Sequence, residues 1–323
     1  MRIAVLDDWQ AVAPDSADWS ALRARAQVSF LTEAFGSEDA AAAQLADFEI
    51  LLTMRERTAF PASLLRRLPR LKMVGITGAR NASLDTAACT AQGVLVSCTA
   101  ASAGGLAAPA ELALGLLLAV ARAIPAADAG IRAGHFQEGT PVGITLAGRT
   151  LGIVGLGRLG STMARYGQAL GMTVLAWSQN LAPETAAAAG ATWVTKQELL
   201  TRSDAISLHL VLSARSRHII GAADLAVMKP GAILINTSRG PLVDEEALLE
   251  ALRSGRLYAG LDVFDCEPLP AGAAVRSLPN TVLTPHLGYC VTETLRSFYA
   301  QSIENAQAFL DGRPIRIVNP EVL

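Results

Sequence analysis

Three glycines spaced G-x-G-x-x-G follow a short apolar run in the stretch Thr150-Leu151-Gly152-Ile153-Val154-Gly155-Leu156-Gly157-Arg158-Leu159-Gly160. The apolar run predicts a buried parallel strand, and the apolar residues after it recur at helical spacing. Gly155 permits a tight turn, Gly157 lets a pyrophosphate approach the backbone, and Gly160 lets the helix pack closely on its strand. The unpaired N–H groups and the positive dipole end of that helix favour phosphate. Glycines alone also fit a turn without a ligand, but this strand-turn-helix order predicts a dinucleotide site.

The length and charge of the chain limit the kinds of protein that it can be. Its 323 residues, 51% of them hydrophobic and 17% charged, suffice for two domains that each bury a core. The 27 Lys and Arg nearly balance the 29 Asp and Glu, so the net charge is −2. Such a chain has no basic field to attract nucleic acid or an anionic membrane, and we expect neither as a partner.

The cysteines and the apolar segments predict a cytoplasmic protein. Four cysteines, which have neither C-x-x-C spacing nor the density of a disulfide scaffold, fit a reducing compartment: Cys89, Cys98, Cys266 and Cys290. The N-terminus leads directly into a predicted strand and lacks the features of a signal peptide. The most apolar stretch, residues 106–120, contains Pro109 and Glu111 and is expected to be a buried interdomain or interface helix rather than a membrane span.

Strands and helices alternate along the chain in two series, which predicts two open, mostly parallel sheets with helices on both faces. The predicted strands are residues 3–6, 28–31, 50–54, 73–76, 94–97, 151–154, 173–177, 205–208, 232–236, 258–263 and 281–283. The clearest predicted helices are residues 37–45, 62–68, 109–124, 244–254 and 292–310. A hinge is expected near Ala103-Gly104-Gly105. The last helix is too little for a domain of its own, so we expect it to pack back on the N-terminal sheet.

Three motifs place reactive side chains directly after strands of the second series. Arg239 follows one strand, Glu267 the next, and His286 the one after that. The carboxyl ends of parallel strands share one edge of the sheet, where open α/β sheets bind their ligands. Taken singly, these residues also fit a surface ion pair, a turn cap and a loop hydrogen bond. Together, behind a dinucleotide motif, they predict one active site.

These three side chains match what the reduction of a 2-keto acid requires. The carbonyl oxygen needs a proton, and His286 is the natural donor because its charge changes near neutral pH. Glu267 would hold the other ring nitrogen and stabilise the imidazolium. Arg239 can grip the neighbouring carboxylate and polarise the carbonyl with its planar fork.

The chain resembles the D-isomer-specific 2-hydroxyacid dehydrogenase family over nearly its whole length. The motifs that carry the resemblance occur in the family's order and are Leu146 to Gly160, His209 to Ser213, Asn236 to Gly240, Leu261 to Pro268 and Pro285 to Gly288. The resemblance implies a dinucleotide-binding Rossmann domain, residues 102–290, inserted in a flavodoxin-like substrate-binding domain, residues 1–101 and 291–323. It also implies a homodimer made through the cofactor domain and the arm at residues 124–145.

The resemblance assigns roles to individual residues. Arg239, Glu267 and His286 are the implied catalytic set, and no metal is implied. The implied substrate-binding residues are Gly78, Ala79, Arg80 and Arg239. The implied cofactor-binding residues are Gly155, Gly157, Arg158, Leu159, Gly160, Ser178, Gln179, His209, Thr237, Asp262 and Gly288.

One departure from the family pattern lies in the loop expected to bind the substrate carboxylate. The family has a second glycine there and then Asp-Asn, whereas this chain places Arg80 at the glycine and Ala82-Ser83 at the pair. The Arg80 guanidinium could bind the substrate carboxylate or a second acidic group. The alternative is that Arg80 points to solvent, as most arginines do. A milder departure is His209-Leu210-Val211, which replaces the family's H-x-P.

The other departure concerns the choice of dinucleotide. Members specific for NAD place a carboxylate after the second strand, where it accepts hydrogen bonds from the ribose 2′-hydroxyl. Ser178 stands at that position here, and Gln179 and Asn180 follow it. Because nothing repels a 2′-phosphate, we expect NADP(H) to be favoured over NAD(H), although Gln179 replaces the arginine that members preferring NADP often carry.

The sequence thus predicts an NAD(P)-dependent oxidoreductase that acts on a small 2-keto or D-2-hydroxy acid. The alternative is a dinucleotide-sensing binding protein that resembles the corepressors of the same family, since these retain the catalytic triad. Turnover of a 2-keto acid distinguishes the two.

Overall fold

The computed structural model describes residues 1–100 and 105–323. The chain forms two compact units, Met1–Leu106 with Val291–Leu323 and Ala107–Cys290. The boundary expected between residues 101 and 102 lies outside the described residues, as do Ala103 and Gly104 of the expected hinge.

All the strands are short, with two to five residues each. They are β1 (Arg2–Val5), β2 (Gln27–Phe30), β3 (Ile50–Thr53), β4 (Met73–Ile76), β5 (Leu95–Cys98), β6 (Thr150–Val154), β7 (Thr173–Trp177), β8 (Thr192–Trp193), β9 (Ala205–Leu208), β10 (Ile233–Asn236), β11 (Tyr258–Leu261) and β12 (Thr281–Leu283).

Helices connect nearly all consecutive strands. They are α1 (Ala13–Ser16), α2 (Ser20–Arg23), α3 (Glu38–Leu45), α4 (Ala62–Leu65), α5 (Thr86–Ala91), α6 (Ala108–Ala121), α7 (Ile124–Arg132), α8 (Arg158–Ala169), α9 (Pro183–Ala188), α10 (Lys196–Arg202), α11 (Ala222–Val227), α12 (Glu245–Arg253) and α13 (Thr292–Leu310).

The first unit contains a parallel sheet in the order β2-β1-β3-β4-β5, which is the flavodoxin-like order. Strands β3 and β4 are buried on both faces, as strands covered by helices on both sides must be. The C-terminal helix α13 packs against β4 and β5. Its Tyr299 ring lies 5.9 Å from the ring of Trp19, so the end of the chain completes the core of its beginning.

The second unit contains a parallel sheet in the order β12-β11-β10-β9-β6-β7-β8. Counted from β6, this is the Rossmann order 3-2-1-4-5-6 with one further strand. The order reverses between β6 and β9, and ligands bind at such a switch point. The predicted fold class, two doubly wound parallel α/β sheets, is confirmed.

The apolar segment at residues 106–120 forms most of α6, whose Ala110, Ala113 and Leu117 are fully buried. The predicted helix 109–124 is wrong at its end. Helix α6 stops at Ala121, Ala123 takes the left-handed conformation with φ +50°, and α7 starts as a separate helix. No single described helix is long and apolar enough to cross a membrane, whereas α6 and α7, bent by 64°, meet that test of length and composition as a pair.

Candidate active site

The glycine motif forms the turn between β6 and α8. Gly155 has φ +98°, a conformation that side chains disfavour, and its N–H donates to the carbonyl of Trp177 at 2.8 Å. A Cβ on Gly160 would collide with the Gly155 carbonyl, so the helix approaches its strand as closely as glycine allows. A Cβ on Gly157 would meet no atom of residues 1–100 or 105–323 within 4 Å. The start of α8, at Arg158 and Leu159, therefore has open space beside it that a pyrophosphate can fill.

At the neighbouring strand ends, two buried polar atoms make no hydrogen bond with the described residues. His209, after β9, contacts the Ser207 hydroxyl through Nε2 at 2.9 Å, whereas its buried Nδ1 has no hydrogen-bond partner among the described residues. Thr237, after β10, likewise has a buried Oγ1 without a partner. Burial lowers the pKa of His209 to about 4, so the ring is neutral at physiological pH. A ligand with donors and acceptors, such as a dinucleotide, fits this edge of the sheet.

Ser178 and Gln179 directly follow β7, which pairs with β6 along its whole length. Ser178 is half-buried and Gln179 is exposed. The first residues beyond β7, Ser178 to Leu181, contain no carboxylate, so this strand end is electrically neutral.

His286 and Glu267 form a close pair in the second unit. Nδ1 of His286 lies 2.6 Å from Oε2 of Glu267, and Glu267 Oε1 accepts from the Phe264 N–H at 2.9 Å. Burial alone would raise the pKa of Glu267, but the contact with His286, the Phe264 N–H and the charge of Arg239 together hold that pKa below its ordinary value. The carboxylate is therefore ionised at neutral pH. Nδ1 is occupied by this bond, which leaves Nε2 as the ring atom for a substrate.

Arg239 stands after β10, near enough to influence Glu267. One of its guanidinium nitrogens donates to the Ser238 carbonyl at 2.7 Å, and its own carbonyl accepts from the Asn236 amide at 2.9 Å. These bonds hold a half-buried cation within electrostatic range of the Glu267 carboxylate. Arg239, Glu267 and His286 thus lie at one edge of one sheet.

Asp262 lies behind this group and is fully buried. Its Oδ1 accepts from the Thr284 hydroxyl at 2.6 Å and the Leu287 N–H at 2.7 Å, and its Oδ2 accepts from the Gly288 N–H at 2.8 Å. Burial raises the pKa of Asp262, although these hydrogen bonds and the charge of His286 oppose the rise. In this structure the carboxylate holds the backbone of the His286 loop, and its expected role in cofactor binding stays a prediction.

The loop predicted to bind the substrate carboxylate lies in the first unit, after β4. Gly78 has φ +86°, and its N–H donates to the Thr99 hydroxyl at 2.8 Å. Ala79 and Arg80 are exposed, and the role of Arg80 as a substrate ligand stays a prediction.

Sequence reasoning missed Arg55, which packs on this loop. Its Nη1 donates to the Thr77 carbonyl at 2.8 Å, and a Cβ on Gly78 would collide with the guanidinium. The position of Arg55 just beyond β3 could have indicated this contact, because β3 pairs with β4 and the loop follows β4. Among the described residues, no group of three or more His, Cys, Asp or Glu could hold a metal ion.

Comparison with known proteins identifies the family. Residues 114–288 match the model of the D-isomer specific 2-hydroxyacid dehydrogenase, NAD binding domain. A glyoxylate reductase of Thermococcus litoralis is 39% identical over 269 residues, which cover 80% of each chain. A D-3-phosphoglycerate dehydrogenase of Methanocaldococcus jannaschii is 36% identical over 264 residues, which cover 81% of this chain and 50% of that protein.

A solved structure of a relative is similar over 97% of this chain. The phosphoglycerate oxidoreductase of Vibrio cholerae O395 superposes with a TM-score of 0.91 and 35% identity, covering 97% of this chain and 99% of the other. The fold is therefore shared with this structure, and the glycine motif lies within the residues that match the NAD binding domain. The chain belongs to the D-isomer-specific 2-hydroxyacid dehydrogenase family and is an NAD(P)-dependent oxidoreductase.

Proposed function

We propose that the protein reduces a small 2-keto acid to the D-2-hydroxy acid, with Arg239, Glu267 and His286 as its catalytic residues. The observation that carries the proposal is the 2.6 Å contact between His286 Nδ1 and Glu267 Oε2. The contact occupies Nδ1, and the ionised carboxylate stabilises the imidazolium. Nε2 is then the ring atom that can donate a proton.

Each of these residues has its own role in the proposed reduction. When bound, the reduced nicotinamide supplies the hydride that adds to the keto carbon. His286 donates the proton to the carbonyl oxygen, and Arg239 binds the substrate and stabilises the negative charge that develops on that oxygen. Glu267 holds the imidazolium in the orientation that donation from Nε2 requires, and after donation it keeps the remaining proton on Nδ1. In the reverse direction the neutral imidazole would take the hydroxyl proton.

The cofactor proposed is NADPH in preference to NADH. The glycine turn would hold the pyrophosphate at the start of α8, with Arg158 and Leu159 beside it. His209, Thr237, Asp262 and Gly288 would line the remainder of the dinucleotide site. The preference rests on the neutral strand end at Ser178 and Gln179, because a carboxylate facing a 2′-phosphate would be repelled and none is present between residues 178 and 181.

For the first unit, we propose that Gly78, Ala79 and Arg80 bind the substrate carboxylate. Arg55 supports this assignment because its cation lies on the same loop, at 2.8 Å from the Thr77 carbonyl. Arg55 also forms an ion pair with Glu56 at 3.6 Å, so its part in the proposal is to hold the loop of Ala79 and Arg80 in place rather than to supply an unpaired charge.

A homodimer is the proposed assembly. The arm at residues 124–145 exposes large apolar side chains, with Phe136 76% and Val142 98% accessible, and α7 buries none of its residues. Apolar surface of this kind is typical of a subunit interface. A cytoplasmic location stays a prediction.

The experiment that tests the activity is a panel of glyoxylate, hydroxypyruvate and pyruvate, each assayed with NADPH and with NADH. His286→Ala should lower kcat/KM by about 10² to 10⁴-fold while dinucleotide binding, measured by fluorescence titration, persists. The control is His135→Ala, which changes an exposed histidine of the arm. Near-normal turnover by His286→Ala would overturn the assignment. Dinucleotide binding without turnover of any keto acid would favour the binding-protein alternative.

A further inference from the structure

An aromatic side chain lies against the imidazole of His286. The ring of Tyr289 has its centroid 5.8 Å from that of His286, and the planes cross at 77°, so the two rings meet edge to face. This separation and angle are those at which aromatic rings attract each other. No residue role described above, neither proton donation nor substrate or cofactor binding, uses Tyr289.

The backbone between the two residues is fixed. The Asp262 carboxylate accepts the N–H groups of Leu287 and Gly288, and the Cys290 N–H donates to the Leu287 carbonyl at 2.8 Å. This tight turn brings Tyr289 back beside the imidazole that precedes it by three residues. The backbone hydrogen bonds of the loop therefore hold the two rings next to each other.

The other described contacts of His286 do not fix the angle of its ring plane. Glu267 holds Nδ1, and the main-chain N–H of His286 donates to the Asp262 carbonyl at 2.8 Å. The ring turns about its Cβ–Cγ bond, and the hydrogen bond at Nδ1 limits this rotation but tolerates a range of angles. The Tyr289 ring opposes that rotation, because turning the imidazole would break the edge-to-face contact or press the rings together.

We propose that Tyr289 is a positioning residue, which orients the imidazole plane of His286 so that Nε2 faces the carbonyl oxygen of the substrate. The proposal rests on the proposed function for its effect on rate and on the ring contact for its effect on His286. A misdirected imidazole slows proton transfer without changing the glycine turn. The cost therefore falls on kcat and not on the affinity for NADPH.

The test compares Tyr289→Phe, which keeps the ring, with Tyr289→Leu, which keeps an apolar side chain but removes the ring. With the full-length enzyme, NADPH and the best keto acid, we expect Tyr289→Leu to lower kcat about tenfold, equivalent to about 1.4 kcal/mol. Tyr289→Phe should retain most of the rate, and the KM for NADPH should not change in either variant. The control is Tyr258→Leu, at the amino end of β11, which should leave kcat unchanged.

A second measurement needs no substrate. The chain has four histidines, so the ring signals of His286 in an NMR spectrum of histidine-labelled enzyme can be assigned by their loss in His286→Ala. We expect the ring-current shift and the restricted motion of His286 to be kept in Tyr289→Phe and lost in Tyr289→Leu. Melting temperatures show whether each variant is folded.

Three results would overturn the proposal. They are a normal kcat in folded Tyr289→Leu, an equal loss of kcat in both variants, and an imidazole as ordered in Tyr289→Leu as in the original enzyme. If the unaltered enzyme turns over none of the keto acids, the proposed function fails, and the NMR comparison still decides whether Tyr289 orients His286.

Discussion

Asp262 and His286 are joined through the main chain, since the N–H of His286 donates to the Asp262 carbonyl at 2.8 Å. The side chain of Asp262 holds the next two N–H groups, those of Leu287 and Gly288. His286 itself has φ +55°, a left-handed conformation that is unfavourable for its side chain. The buried carboxylate thus stabilises a strained backbone that presents the imidazole, and it does so from the neighbouring strand.

Asp262→Asn should destabilise the protein without changing its shape. The amide has one acceptor oxygen in place of two, so one of the Leu287 and Gly288 N–H groups would lose its partner. We expect the free energy of unfolding to fall by about 1–3 kcal/mol, as measured by urea denaturation. The control is Asp311→Asn, which breaks an exposed ion pair with Arg25 outside the arm and should cost little. Equal stability of the two variants would contradict the conclusion that Asp262 stabilises the backbone at Leu287 and Gly288.

Glu267→Gln should change the pH dependence of keto-acid reduction. The pKa of Glu267 lies below its ordinary value of 4.5, so this carboxylate is ionised at neutral pH and its stabilising contribution is lost only when the pH falls through that lowered pKa. A neutral amide would not stabilise the imidazolium. The fall in rate as the pH rises should therefore begin at a lower pH in the variant. The profile of kcat/KM against pH measures this effect. The same profile in the variant as in the original enzyme would argue against a functional contact between Glu267 and His286.

The dinucleotide preference should depend on residue 178. The ratio of kcat/KM for NADPH to that for NADH, with one keto acid, should exceed unity in the original enzyme. Ser178→Asp should reverse the ratio, because its carboxylate would accept from the ribose 2′-hydroxyl and repel the 2′-phosphate. A preference of the original enzyme for NADH of about tenfold or more, about 1.4 kcal/mol, would refute the interpretation of the neutral strand end.

Arg80→Ala distinguishes a substrate ligand from a solvated side chain. If Arg80 binds the carboxylate, the KM for the keto acid should rise about tenfold, about 1.4 kcal/mol, while the KM for NADPH stays constant. The control is Arg66→Ala, an exposed arginine that follows α4. Small and equal effects on the two KM values would show that Arg80 points to solvent.

The proposed dimer should weaken when the arm carries charge at its most exposed ring. Phe136→Asp would place a carboxylate where apolar surface is buried on association, so the variant should be monomeric at concentrations at which the original chain is dimeric. Light scattering after size exclusion gives the mass. Leu323→Asp, an equally exposed apolar position at the C-terminus, is the control and should leave the mass unchanged. A monomeric original chain would refute the proposal.

The helix expected over residues 109–124 shows where local pattern fails. Its alanines and leucines favour helix without interruption, yet the chain turns at Ala123, whose positive φ no residue type announces. Strand β8 was missed for a related reason: Thr192 and Trp193 are too few to show a period, and only pairing with β7 makes them a strand.

The sequence by itself determined the two parallel sheets, the glycine turn and the strand ends that carry Arg239, Glu267 and His286. These follow from spacing along the chain, since the hydrophobic period, the positions of the glycines and the succession of strands and helices along the chain are local properties. Only the tertiary structure decided that Asp262 holds Leu287 and Gly288, that Arg55 packs on Gly78, and that Tyr289 meets the imidazole. Those contacts depend on how neighbouring strands and the loops beyond them place their side chains, and hydrogen bonds and ring contacts of this kind require geometry that no spacing in the chain specifies.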